Sequence, residues 1–155
     1  MLRITTEILA VHRCHYSEDW ANNGDILIAD DFDRLYYLEE GNAQVWSDGQ
    51  MTHLKPGYFY LFPGGACKRR YRSPQGMLLN WVHFRIASMP GISLFSRYSP
   101  QIEVRAAPGD IVFLHGLIEH FYSSRPTESL DCIQSLSHIL KLFLPESWND
   151  LLPAE

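Results

Sequence analysis

The sequence predicts a small, mainly β domain in which an antiparallel β-barrel is followed by two C-terminal α-helices. Between Leu35 and Phe84 the chain is a series of short apolar or alternating runs, separated by turn residues such as Asp48-Gly49. No helical period connects these runs, which is typical of a sandwich or barrel. After Pro108 the apolar residues change to helical spacing, which predicts the two helices.

The N-terminal part is predicted to add two strands to the barrel. Ile4–His12 and Asp25–Ala29 are rich in β-branched and apolar residues. Trp20 lies between them, before a turn signal, and is either a lid over a pocket or a plug in the core.

The barrel itself is predicted as a succession of strands joined by short turns. They are Leu35–Glu40, Ala43–Ser47, Gln50–Leu54, Tyr58–Phe62, Cys67–Arg72 and Leu78–Ile86. Asp48-Gly49 favours the positive φ angles of a tight hairpin. Ser88–Pro100 is loop-like, and Gln101–Arg105 is predicted as a last short strand.

The first helix is predicted from Pro108 to about Ser123, where Arg125-Pro126 prevents its continuation. Thr127 is a good N-cap for a second helix over Glu128–Leu144, which Pro145 ends. The second helix has apolar residues in steps of three and four along one face. These residues are Ile133, Leu136, Leu140 and Phe143.

Composition indicates one globular domain outside the nucleic-acid-binding and membrane classes. The 155 residues are 46% hydrophobic and carry a formal net charge of −5. An acidic chain without a basic tract lacks the electrostatic footprint of a nucleic-acid binder. The three cysteines show no CxxC spacing, and no signal peptide or membrane-spanning run is present. We therefore expect a cytoplasmic protein.

The turn residues also resemble a known family. Gly57, Pro63 and Gly65, followed by the polar Lys68, resemble the second conserved motif of the cupin barrel. With YYLEEG and DGQ…LKPG before them and NWVHF after them, the chain is similar to the sensor domain of AraC-type transcription regulators. The similarity covers roughly Arg34 to Phe84 and extends more loosely through the helices.

The resemblance implies a domain organisation. Residues 1–105 would form a cupin-like effector-binding barrel with an N-terminal arm, residues 106–145 a helical dimerisation segment packed on the barrel, and 146–155 a tail. Family members bind DNA through two helix-turn-helix modules after such a domain, and this chain does not supply them. We expect a chain cut before the DNA-binding half; the alternative is a stand-alone sensor. The apolar helix face of Ile133, Leu136, Leu140 and Phe143 either covers the barrel or forms a homodimer interface, and the resemblance favours the dimer.

Many cupin barrels hold a metal with an HxH pair, a glutamate and a further histidine. The HxH positions correspond here to Ile28 and Asp30, or to the residues one earlier, and the glutamate position to Arg34. The last histidine position is Lys68. Cationic side chains repel a divalent ion, so we predict no metal site and no cofactor.

The same strands suit a small-molecule sensor. Trp81 and His83 share one face of the last long strand. The matching Trp of the family lies inside the barrel, where an indole can stack on a sugar ring, so Trp81 is the first candidate pocket residue. For Trp81 and His83 the alternative is a core role. Tyr36 is a candidate lining aromatic with the same alternative.

Charged residues on neighbouring strands decide which ligand such a pocket would accept. Lys68 and Arg70 would favour an anionic ligand if they pointed inward; the alternative is a solvated edge strand. A shift of one residue would place Tyr71 inside instead of Arg70. Glu40 stands where an arabinose-responsive member of the family has an arginine, so a different ligand is expected.

We therefore expect the effector-sensing and dimerisation domain of an AraC-type regulator that binds a sugar, sugar acid or related small metabolite. The chain is not expected to be an enzyme, because motifs for nucleophilic or phosphate chemistry are absent from the sequence. The alternatives are a metal-dependent cupin enzyme, such as a dioxygenase or sugar isomerase, and a ligand-free dimerisation module.

Overall fold

The computed structural model describes residues 3–21, 24–90, 92–97 and 101–144. The strands are β1 (Thr5–Tyr16), β2 (Ile26–Asp30), β3 (Asp33–Gly41), β4 (Ala43–Ser47), β5 (Gln50–Leu54), β6 (Tyr58–Phe62), β7 (Gly65–Arg72), β8 (Met77–Met89), β9 (Ile92–Ser93) and β10 (Glu103–Arg105). The helices are α1 (Leu94–Arg97), α2 (Pro108–His120) and α3 (Pro126–Lys141). Pro145 and the predicted tail, 146–155, lie outside the described residues.

The strands form two antiparallel sheets. One has the order β1-β8-β3-β6-β10, with β9 beside β8, and the other has the order β2-β7-β4-β5. With the two C-terminal helices, this is the mainly β fold class that the sequence predicted. The hairpin between β4 and β5 is also confirmed, because Asp48 and Gly49 have φ angles of 49° and 82° between paired Ser47 and Gln50.

Alternation along β3 divides the apolar residues between two cores. Leu35 and Tyr37 point to the side of the first sheet on which the helices lie, and Tyr36 and Leu38 point between the sheets. Strand β6 divides in the same way, which explains why β6 and the centre of β3, residues 35–38, are continuously apolar. The layer between the sheets is the one in which a ligand cavity can form.

The helices cover the outer face of the first sheet. Leu114 and Leu117 of α2 are buried there together with the apolar face of α3. No helix in the described parts of the chain has the length and apolar character needed to cross a bilayer.

This packing corrects the predicted dimer interface. Leu136, Leu140 and Phe143 are at most 2% exposed and belong to the core shared with the sheet. Burial of a large apolar side chain stabilises the fold by roughly 1.5–3 kcal/mol, and here the single chain already makes that gain. Only Ile133 of the predicted set remains exposed.

Element boundaries differ from the prediction at several places. Helix α3 begins at Pro126 with Arg125 as its N-cap, rather than after Thr127, because proline fits the first helical position. The segment predicted as a loop contains β9 and α1, and α1 buries Leu94 and Phe95. Strand β1 is longer than predicted and pairs with β8 along its whole length, with one irregularity at Leu9.

Candidate ligand-binding site

A cavity of about 220 Å³ lies between the two sheets. It is lined by Tyr16, Trp20, Arg34, Tyr36, Leu79, Trp81 and His83. The structure therefore brings together three candidate ligand-binding residues of the sequence, Tyr36, Trp81 and His83, with Trp20, the predicted lid or plug, and adds Tyr16, Arg34 and Leu79.

Strand pairing places the inner residues of β3 and β8 side by side. Arg34 pairs with His83, and Tyr36 pairs with Trp81. Because side chains alternate along a strand, all four point to the same side of the sheet. The buried residues between them in β8, such as Val82, belong to the core under the helices.

The end of β1 and the segment that follows it supply another wall of the cavity. The indole N–H of Trp81 donates to the hydroxyl of Tyr16 at 2.9 Å. The ring of Trp20 lies 6.3 Å from the ring of Tyr16 and 5.0 Å from that of Tyr71, centroid to centroid. Trp20 thus packs against other aromatic rings while also lining the cavity.

Aromatic contacts also surround His83. Its ring lies 4.5 Å from the ring of Trp81 at an interplanar angle of 30°, and 4.7 Å from the ring of Phe32. Burial is the main cause that lowers the pKa of His83 to about 4, and the positive charge of Arg34 adds to it. The imidazole is therefore neutral at physiological pH and has one N–H to donate and one nitrogen to accept.

Arg34 is the charged residue of the cavity wall. It is 8% exposed, its Nη2 donates to the carboxylate of Asp30, and its guanidinium lies 4.6 Å from the centre of the Phe32 ring. Its Nη1 is buried and has no hydrogen-bond partner among the described residues.

The facing strand β7 presents Arg69 and Tyr71 to the interior. The Arg69 guanidinium lies 5.4 Å from the centre of the Phe62 ring, and its Nε donates to the hydroxyl of Ser47. Burial, together with the neighbouring Tyr71, raises the pKa of the Tyr36 hydroxyl. Tyr36 is therefore a neutral donor or acceptor in the interior.

Lys68 and Arg70 occupy the other face of β7, which corrects the possible inward placement. Tyr71 pairs with the buried Val45, whereas Arg70 pairs with Trp46 and stacks on its ring at 4.1 Å. Lys68 is exposed to solvent. The question left open between Arg70 and Tyr71 is answered by this register, since Tyr71 is the residue that packs on the interior core.

Glu40 is also separated from the cavity. The register between β3 and β8 shifts between Leu38 and Glu40, so one extra residue, Glu39, enters β3. The alternation that would place Glu40 on the face of Tyr36 is interrupted there. Glu40 is exposed and borders a different surface depression, of about 300 Å³.

A larger groove of about 580 Å³ lies outside the barrel. Its lining includes Trp46, Arg70, Arg72, Glu18 and Asp19, so charges of both signs are already present. The interior cavity is smaller, but it brings Tyr36, Trp81 and His83 together beside the buried Arg34, whose Nη1 has no hydrogen-bond partner among the described residues. Arg70 of the outer groove also has a buried Nε without such a partner, but its guanidinium stacks on the ring of Trp46. We therefore take the interior cavity as the candidate site.

The donor set of the interior does not suit a metal ion. The cavity wall offers one histidine, His83, beside the cationic Arg34, and a divalent ion would be repelled by that charge. Within the described ranges, no group of three or more His, Cys, Asp and Glu side chains is placed to hold a metal.

Sequence reasoning missed Arg34 and Arg69 as interior residues. Arg34 lies two positions before Tyr36, and this spacing in a strand puts both on one face. The sequence therefore does indicate that Arg34 faces the interior. It gives no such indication for Arg69, because residues 68 to 72 are charged or polar on both faces of the strand.

Comparisons with protein-family models and with curated proteins found no match. Among solved structures, the chain is similar to an apo ToxT variant from Vibrio cholerae, with a TM-score of 0.57, 11% identity and coverage of 89% of this chain and 54% of that one. For ToxT from the same organism with a bound unsaturated fatty acid, the TM-score is 0.51, the identity 12% and the coverage 93% and 58%. An RmlC-like cupin from Shewanella frigidimarina matches with a TM-score of 0.35, 18% identity and coverage of 52% and 75%.

The chain spans little more than half the length of the ToxT chains. At such low identity the similarity to ToxT shows the fold alone. What it adds to the geometry is that nearly the whole chain, barrel and helices together, follows an arrangement found in a solved protein.

Proposed function

We propose that this chain is the effector-sensing domain of an AraC-type transcription regulator and binds a small molecule in the cavity between its sheets. The observation that carries the proposal is the interior cavity itself, in which Trp81, Tyr36 and His83 meet a buried arginine. Concave sites with mainly apolar walls and a few polar groups are the usual form of small-molecule sites. The role is one of binding rather than catalysis.

Support also comes from the ToxT comparison. ToxT is an AraC-family regulator, and one of its solved forms holds an unsaturated fatty acid. The shared arrangement of barrel and helices makes a related sensing role the simplest account of this chain. Sugars and sugar acids, which the sequence suggested, remain candidate effectors beside other small metabolites.

The fold offers a route from the cavity to the helices. Strands β3 and β8 line the cavity with one face and carry α2 and α3 on the other. An effector that binds one arrangement of these strands better than another shifts the equilibrium by the difference in its binding free energies. In a full-length regulator, the helices would pass that preference to the DNA-binding modules.

Homodimer formation is part of the proposal, with an interface that keeps only Ile133 of the predicted set. The helices expose apolar side chains that the barrel does not cover. These are Val112 and Phe113 of α2 and Leu130 and Ile133 of α3.

Tryptophan fluorescence and thermal stability test the sensing role directly. We expect at least one compound in a panel of sugars, sugar acids and small carboxylates to raise the melting temperature and to change the fluorescence of Trp20 and Trp81. The variant Trp81→Phe should lose most of the fluorescence change and bind more weakly. Trp46→Phe is the matched control, because Trp46 lies in the outer groove.

The two tryptophan variants also separate the possible outcomes. If Trp46→Phe loses binding and Trp81→Phe retains it, the ligand binds in the outer groove and not in the interior cavity. A panel without any thermal shift would favour the ligand-free dimerisation module.

A further inference from the structure

The cavity contains a buried cation with an unused donor. Arg34 is more than nine-tenths buried, and its Nη2 donates a hydrogen bond to the carboxylate of Asp30. Nη1 is also buried and has no partner among the described residues. A guanidinium stays charged at any physiological pH, and a buried charged donor without an acceptor destabilises the folded protein. An acceptor supplied by a ligand would remove that penalty.

The other residues that line the cavity carry no negative charge that could accept a hydrogen bond from Nη1 of Arg34. The lining of the cavity includes no carboxylate, and Asp30 of the strand β2 forms an ion pair with Arg34 through Nη2 rather than Nη1. A second buried guanidinium, that of Arg69, enters the same interior layer from β7. The electrostatic environment of the cavity therefore favours an anion over a neutral or cationic ligand.

Size and shape restrict the rest of the ligand. The share of liquid volume taken by one water is about 30 Å³, so a cavity of about 220 Å³ has room for roughly seven water-sized groups. This is less than the approximately 300–1,000 Å³ typical of sites for drug-sized molecules. The rings of Trp81 and Tyr36 offer flat apolar surfaces on adjacent strands.

We propose that the effector is a small monocarboxylate with a compact, flat apolar body, whose carboxylate accepts a hydrogen bond from Nη1 of Arg34. The neutral His83, paired with Arg34 across the strands, lines the same cavity and has one ring N–H that could donate a second hydrogen bond. The body of the ligand lies against Trp81. A dianion such as phosphate fits less well, because one free guanidinium donor and a neutral imidazole do not balance two charges. This inference rests on the proposed sensing function and assigns its ligand class.

The test compares sodium benzoate with benzamide, which has the same shape and no charge. Both are titrated into the wild-type chain at neutral pH, with tryptophan fluorescence and calorimetry as readouts, and inorganic phosphate is titrated in parallel. We expect benzoate to bind measurably more tightly than benzamide and phosphate. In Arg34→Gln the affinity for benzoate should fall about tenfold or more. Arg70→Gln is the control on the outer face and should leave it unchanged.

A second pair of variants covers the case in which Arg34→Gln does not fold. In Asp30→Asn, Arg34 loses its carboxylate partner while an oxygen acceptor remains, so benzoate should bind several-fold more tightly. Asp31→Asn is the control, because Asp31 is exposed and pairs with Arg85. Benzoate affinity that is equal in Asp30→Asn and Asp31→Asn would overturn the role of Arg34.

The outcomes separate this inference from the sensing function on which it rests. Equal binding of benzamide and benzoate, both lost in Trp81→Phe, would overturn the anionic ligand and leave the cavity as the sensing site. If phosphate binds more tightly than benzoate, the assignment of a carboxylate is wrong, and the effector carries a phosphate group instead. If carboxylates do not bind, while a neutral sugar binds to the wild-type chain and not to Trp81→Phe, the carboxylate inference is overturned. The proposed sensing function is then unaffected.

Discussion

Strands β3 and β8 turn one face to the helices and the other to the interior cavity. On the helix side, Phe84 and Val82 are fully buried, and the carboxylate of Glu39 accepts hydrogen bonds from Arg13, Asn80 and His115. Each face also has a buried polar atom without a hydrogen-bond partner among the described residues, Oδ1 of Asn80 on the helix side and Nη1 of Arg34 on the cavity side, but of these two residues only Arg34 lines the interior cavity. The difference teaches that one pair of strands can hold a packed core on one face and a binding surface on the other.

The surroundings of two titratable groups show the same contrast. The hydrogen bond from Arg13 is the main cause that holds the pKa of Glu39 at about 2, although burial opposes it. On the cavity side, burial and the charge of Arg34 lower the pKa of His83 to about 4. The helix side therefore stabilises the charged form of its group, and the cavity side stabilises the neutral form.

The largest expected effect comes from equal truncations on the two faces. Phe84→Ala should destabilise the chain by about 3–5 kcal/mol, because Phe84 is fully buried and its neighbours cannot fill the space. Trp81→Ala removes a larger side chain but should destabilise the chain by only about 1–3 kcal/mol, because that side chain already borders a cavity. Urea unfolding measures both values. An equal loss in the two variants would contradict the contrast between the faces.

A smaller effect is expected in the pH dependence of stability. His83 has a folded-state pKa of about 4 and an ordinary value of 6.5. Between these values the unfolded chain binds a proton that the folded chain does not, so stability should fall as the pH drops from 6.5 towards 4. The folded-state pKa of Glu39 is about 2, against an ordinary value of 4.5. The stabilising contribution of Glu39 should therefore be lost at lower pH, as the pH falls from 4.5 to about 2. Melting temperature as a function of pH shows both.

Two substitutions show which residue causes the loss of stability in each pH range. His83→Gln should flatten the upper part of the curve and leave the lower part unchanged. Glu39→Gln should do the reverse. A loss between pH 6.5 and 4 that persists unchanged in His83→Gln would show that other groups cause it.

The fold could be predicted from the sequence to a large extent, because its signals are local. Turn residues such as Asp48-Gly49 and the change of period after Pro108 identified the strands and helices. Helix α1 was missed because Leu94 and Phe95 stand alone in a segment rich in serine, and only tertiary packing buries them. Local patterns do not contain that information.

The site could be predicted only where strand alternation was unbroken. Tyr36, Trp81 and His83 follow that alternation, and the structure places all three on the cavity wall. Glu40 does not, because the register shift before it depends on pairing with β8, which no sequence pattern marks. The sequence of α3 likewise shows an apolar face but not whether the barrel or a second copy covers it.

The smallest effect on stability, and the sharpest test of the two faces of α3, concerns dimer formation. Ile133 is 38% exposed, and Leu136 is fully buried one turn later. Ile133→Asp should change the free energy of unfolding of the single chain by no more than about 0.5 kcal/mol but weaken self-association. Leu136→Ala should instead destabilise the chain by about 2–5 kcal/mol. Sedimentation velocity measures the association, and Gln134→Asp adds the same charge at a neighbouring exposed position as the control. Equal sedimentation of Ile133→Asp and Gln134→Asp would mean that Ile133 takes no part in self-association, which would leave Leu130 and the exposed residues of α2 as the remaining candidates.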